Sequence, residues 1–138
     1  MKKILFLFVL SLALSCKQKI TDADISNLNG YWEIEKVELP DGDKKEYKVN
    51  ETIDFFKIEE NKGFRKKVMP QLDGTFLTND IQEDIVIAVK DGDATIQYKT
   101  TYASWNEEII ELTKDKLVVK NEQDLEYHYK RPVKFSVK

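Results

Sequence analysis

The 138-residue chain has a single cysteine, a single histidine and one long apolar run, which lies at its start. Each shortage excludes something. With Cys16 the only thiol, no disulfide can form within the chain, so packing alone must hold the fold. With His128 the only imidazole, neither a His-x-x-x-His metal spacing nor a Ser-His-Asp arrangement can be picked out. Past Leu14 no apolar stretch is long enough to span a bilayer as a helix. Positive charge is not in excess either. Lysines and arginines number 22 against 25 acids, and the net charge of −3 argues against a nucleic-acid partner. No stretch of ten or more residues keeps a helical period; only a short turn near Thr21 to Leu28, with Asp22 and Asp24 as caps, is expected.

What is present begins with the address. Lys2 and Lys3 precede an uncharged apolar run from Ile4 to Leu14 of signal-peptide length, and Ser15 is a small residue suited to cleavage before Cys16. The stretch LALSC, Leu12 to Cys16, resembles the lipobox of bacterial lipoproteins. That resemblance implies that residues 1–15 are removed and that Cys16 becomes a lipid-modified N-terminus bearing a diacylglycerol thioether. Several acyl chains, at about 0.8 kcal/mol per buried methylene, make a lasting membrane anchor. Lys17-Gln18-Lys19 carries neither the aspartate of inner-membrane retention nor the acidic cluster of surface export. By the same resemblance, the expected place is the cell envelope, at the outer membrane and facing the periplasm. Cleavage would leave 123 residues with a charge of −5, the size of one domain. Residues 16–29 are polar and read as a flexible tether, leaving 30–138 as the domain.

From Gly30 onward, short runs of apolar and aromatic β-formers alternate with turn residues. Strands are expected at 31–39, 52–60, 63–69, 74–78, 83–90, 94–102, 107–113, 116–121 and 125–131. The turns carry Asp-Gly or Asn-x-Gly, which supply the positive φ angles of tight hairpins. Asp41-Gly42-Asp43 and Asp91-Gly92-Asp93 belong with these turns, since neither begins an oxygen-ligand run ending in glutamate as a calcium loop requires. Such short connections predict an antiparallel all-β, up-and-down meander, and closure into a barrel of about eight strands removes its edges. In the first strand Trp32 and Ile34 share one side but Val37 and Leu39 the other, so a bulge is expected partway along.

Gly30-Tyr31-Trp32, at the start of the first strand, resembles the G-x-W motif of the lipocalins. The chain after Cys16 as a whole resembles the short bacterial lipocalin-like lipoproteins. The resemblance implies a barrel in which Gly30 lets the chain turn in, Trp32 closes the base and Arg131 packs over Trp32. It also implies a binding protein, without enzymatic activity or cofactor, for a small and largely apolar ligand. Phe56, Ile58, Ile87, Tyr98, Tyr102 and Trp105 are the candidate lining. A structural or interaction lipoprotein of the envelope, with a solid barrel and with Tyr102 or Trp105 turned toward an unidentified protein partner, is the alternative. A cavity of roughly 300 Å³ or more separates the two readings.

Two charged groups complete the inventory. His128 alternates away from the inferred core face with Glu126 and Lys130, which reads as a solvated strand residue, with no metal site and no catalysis. Lys62, Arg65, Lys66 and Lys67 surround Phe64 and read as a solvated, edge-protecting face, with docking of an anionic group as the alternative.

Overall fold

Side-chain alternation sets the architecture: each strand turns one face to a common interior. In a computed structural model that describes residues 17–48, 50–78 and 81–132, a short 3-10 helix (Asp22–Leu28) precedes ten strands. They are β1 (Gly30–Glu38), β2 (Lys44–Glu46), β3 (Ile53–Glu59), β4 (Lys62–Pro70), β5 (Phe76–Thr78), β6 (Glu83–Lys90), β7 (Asp93–Lys99), β8 (Ser104–Leu112), β9 (Lys116–Lys120) and β10 (Glu126–Lys130). Cys16, with the rest of the expected signal, lies outside the described residues.

Eight strands, β1, β3, β4, β6, β7, β8, β9 and β10, follow one another as an antiparallel meander, and β10 pairs back onto β1 to close the barrel. The fold is therefore the all-β, lipocalin-like closed barrel expected. The other two strands are additions at one end. β2 pairs with the outgoing half of β1 at Lys36–Glu38, and β5 pairs with the outgoing half of β4 at Val68–Pro70. β2, with the sequence KKE and no apolar residue, was not foreseen. The register of β1 against β10 slips between Ile34 and Lys36, which is the bulge that the change of phase required.

Because β1 holds β3 only through Gly30–Trp32 and then turns to β2, the wall between β1 and β3 splits above Trp32. Asn50, from the loop entering β3, spans the split by donating to the Ile34 carbonyl at 3.1 Å and to Glu33 Oε2 at 2.9 Å. At the opposite end the barrel is shut.

The segment expected to be a flexible tether is the lid of that shut end, and this corrects the boundary drawn at Gly30. Ile20, Ile25 and Leu28 are buried in the same cluster as Trp32, Phe56, Ile58, Ile96 and Leu117. Asp24 Oδ2 accepts from the Thr21 backbone N–H at 2.9 Å and starts the helix. Gln18 donates through Nε2 to the Leu112 carbonyl at 3.0 Å and accepts from the Leu112 N–H at 2.8 Å, while the Ile20 N–H bonds to the Gly92 carbonyl at 2.9 Å. A tether would leave these groups to water. Gly63 lets the β3–β4 hairpin close tightly, since a Cβ there would stand 1.8 Å from the Lys57 carbonyl oxygen.

Candidate functional site

The base comes first, because it sets what the interior can hold. Trp32 is fully buried, and its indole N–H donates to the Leu28 carbonyl at 2.8 Å. Arg131 lies over the ring, its guanidinium carbon 3.6 Å from the ring centroid. The same guanidinium donates to the carbonyls of Tyr31 at 3.0 Å, Asn27 at 2.8 Å and Lys114 at 2.7 Å, tying strand, lid and the β8–β9 turn together. Gly30 has φ +109°, and a Cβ there would stand 3.2 Å from Arg131 Nη1, so glycine provides both the turn and the room. Desolvation by partial burial pulls the Arg131 pKa downward, opposed by Asp115.

Phe56, Ile58, Ile87 and Tyr98 are inside the barrel, packed into the core at 1, 8, 4 and 1% exposure, so they fill the interior, with Ile58 also edging a recess outside the shut end. Trp105 is half-buried and stacks on Tyr98, with ring centroids 5.3 Å apart. Tyr102 is 95% exposed, outside the barrel on the turn joining β7 to β8, and is not brought to the others. Arg65 corrects the reading of its cluster as a solvated face. It points inward, 9% exposed, with Nε 2.5 Å from Glu83 Oε1 and its guanidinium 4.3 Å from the Tyr98 ring centroid.

Arg65 belongs to a tier of buried polar groups that sequence reasoning missed. Burial works against its charge, but Tyr98, Glu83 and Asp54 outweigh it and raise its pKa, so it stays a cation. Glu107 is 8% exposed, and its Oε1 has no hydrogen-bond partner. Burial pushes the Glu107 carboxyl upward, with Arg65 and a hydrogen bond from Tyr98 opposing. Burial also raises Tyr98 and Tyr129, so both phenols remain neutral donors. Asp54, 3% exposed, meets Lys67 at 2.7 Å, and Lys67 reaches it from the exposed rim. The signal was there: Asp54 is in phase with Phe56 and Ile58 on β3, and Glu107 with Ile109 on β8, as core positions are.

Asp54 and Lys67 stand on the wall of a cavity of about 310 Å³ at the split between β1 and β3. Trp32 and Tyr129 border it from the interior, Ile34 and Val37 from β1, and Tyr47 and Thr52 from the loop. The wall thus offers apolar faces beside a carboxylate and an ammonium. A second recess, of about 390 Å³, lies outside the shut end between the 3-10 helix and the β3–β4 turn. It is larger but does not reach the polar tier, and Asn61 donates across it to Asp22 at 3.1 Å.

On the outer surface of the β1–β10 seam, His128 is 12% exposed rather than solvated, between Glu126 at 3.3 Å and Glu38 at 3.6 Å. The Lys36 ammonium, bonded to Glu38, is the largest influence holding that carboxyl below its usual range. The reading of His128 as a solvated strand residue is therefore corrected.

A family model described as a lipocalin-like domain matches residues 28–119, more than half of the chain. The chain belongs to the lipocalin-like domain family. Among solved structures, this lipocalin-like barrel is similar to a lipocalin-like protein from Bacteroides uniformis ATCC 8492, at 11% identity and a TM-score of 0.49, covering 77% of this chain and 99% of that one. It is also similar to an uncharacterized protein from Bacteroides eggerthii DSM 20697, at 13% identity and a TM-score of 0.47, covering 76% and 99%. No curated protein matches the sequence.

Proposed function

We propose that this lipocalin-like protein is a binding protein, not an enzyme, and that it holds a small amphipathic ligand in the cavity between β1 and β3. The observation that carries the reading is the cavity itself: about 310 Å³, open to the outside and floored by Trp32 and Tyr129. That volume lies at the lower end of the range of small-molecule sites. The ligand's apolar part would lie against Ile34, Val37 and Tyr47, gaining about 25 cal/mol per Å² buried. Its polar end would meet the Asp54–Lys67 pair. The ligand is thus more polar at one end, and sits nearer the rim, than the residue alternation led one to expect.

The lipid anchor at Cys16 and the place at the outer membrane, facing the periplasm, belong to the same proposal. The LALSC stretch supports them. Lys17, next to it, pairs through its ammonium with Asp93 at 2.6 Å and with Glu108 beside the shut end. An acylated neighbour of Lys17 would bring the shut end to the membrane and turn the cavity away from it.

The test is native mass spectrometry of the protein purified from bacterial envelopes, before and after organic extraction. A discrete added mass that leaves on extraction is expected. A clean mass, with no binding across a panel of fatty acids, amines and sterol-like compounds, would overturn ligand carriage. It would favour the second reading, an interaction protein, for which the filled lower barrel and the exposed Tyr102 ring speak.

A further inference from the structure

The outer side of the β1–β10 seam carries an arrangement that packing does not explain. Glu38 and Glu126 are direct cross-strand partners, and His128 stands two residues along the same face of β10. Like charges directly opposite one another weaken a sheet, and this pair sits where the barrel closes. Each carboxylate has one lysine: Lys36 lies 3.1 Å from Glu38 Oε2 and Lys120 lies 3.9 Å from Glu126 Oε2. Between the carboxylates His128 Nε2 is shielded from solvent and makes no hydrogen bond, although Glu126 Oε1 is 3.3 Å and Glu38 Oε2 3.6 Å away. The shielded nitrogen faces both oxygens without the geometry of a bond to either.

We propose that Glu38, Glu126 and His128 form a binding site for a divalent transition-metal ion of the zinc type. One donor atom from each residue lies within 4.8 Å of the other two. Zinc bonds of about 2.0–2.1 Å arranged tetrahedrally put neighbouring donors roughly 3.3 Å apart; His128 Nε2 stands 3.3 Å from Glu126 Oε1 and 3.6 Å from Glu38 Oε2, so a small inward turn of Glu38 would complete the spacing. Two carboxylates neutralise a divalent charge, the imidazole supplies the nitrogen that selects zinc, nickel or copper over magnesium or calcium, and the fourth position is left to water. Lys36 and Lys120 compete for the carboxylates and keep the affinity below that of a closed structural site. The ion would join the first strand of the barrel to the last, so binding would stabilise the closed form.

The test uses the protein purified from bacterial envelopes in mild detergent, after stripping with EDTA. Zinc chloride is titrated by calorimetry and by long-range proton–nitrogen NMR, in which the lone histidine gives one imidazole pattern. One zinc per chain is expected, with a shift of the His128 Nε2 resonance and a higher melting temperature. His128→Ala and the near-isosteric Glu126→Gln should each weaken binding at least about tenfold. Circular dichroism of Glu126→Gln shows whether the fold survives, and the NMR shift needs no variant. Absence of binding by zinc, nickel and copper up to about 1 mM, or binding that leaves the imidazole resonances and the His128→Ala affinity unchanged, would overturn the proposal.

Discussion

The two ends of this barrel are built from the same strands but by opposite rules. At the shut end the inward residues are Ile58, Ile109, Leu112 and Leu117, sealed by Ile20, Ile25, Leu28 and Trp32. At the open end the positions in phase with them hold Asp54, Arg65, Glu83 and Glu107, among the phenols of Tyr98 and Tyr129. Apolar packing at one end supplies stability, and that surplus lets the other end keep buried charges and a split wall. A uniformly apolar barrel would be more stable and would have less with which to orient a polar ligand.

The largest effect that would break this comparison is at the lid. Leu28→Ala should cost about 3 kcal/mol in chemical denaturation, as fully buried leucines do; a leucine in a flexible tether would cost next to nothing. Arg131→Met comes next. It keeps a long side chain over Trp32 but loses the cation–π contact and three carbonyl bonds, and a loss of about 2 kcal/mol is expected in the same assay.

The smallest effect has the opposite sign. Glu107 has a raised folded pKa, so the folded protein binds its proton more tightly than the unfolded chain does. Its contribution therefore falls as pH rises from the ordinary glutamate value of about 4.3 through the folded value, above which the penalty is complete. Glu107→Gln should accordingly stabilise the protein by about 1 kcal/mol at neutral pH. The gain over wild type should shrink on acidification, and melting temperatures across a pH series will show it.

Most of the barrel was legible in the sequence because its signals are local. Alternation in β6, β7 and β10 marks an inner face, Asp91-Gly92 marks a hairpin, and the phase change after Ile34 marks the bulge. The lid was not legible, because Ile20, Ile25 and Leu28 are spread through a polar segment and acquire meaning only against core residues such as Ile58 and Leu117, thirty or more positions away. β2 is a strand only because β1 leaves it backbone groups to pair with. The cavity is not legible from the aromatic alternation, because its wall carries the charged Asp54 and Lys67. Phe56 and Tyr98 are packing, while Asp54, two residues before Phe56, stands on the cavity wall. Tyr102 was drawn in by continuing the alternation of β7 past its end at Lys99.

The division of labour between the ends is tested most directly by blocking one of them. Thr52→Trp at the cavity rim should abolish the ligand mass that native mass spectrometry finds on the wild-type protein, with little change in stability. Ile109→Val in the shut half should keep the ligand mass and lose about 1 kcal/mol of stability. A ligand retained by Thr52→Trp but lost by Ile109→Val would place binding in the packed half and contradict the account.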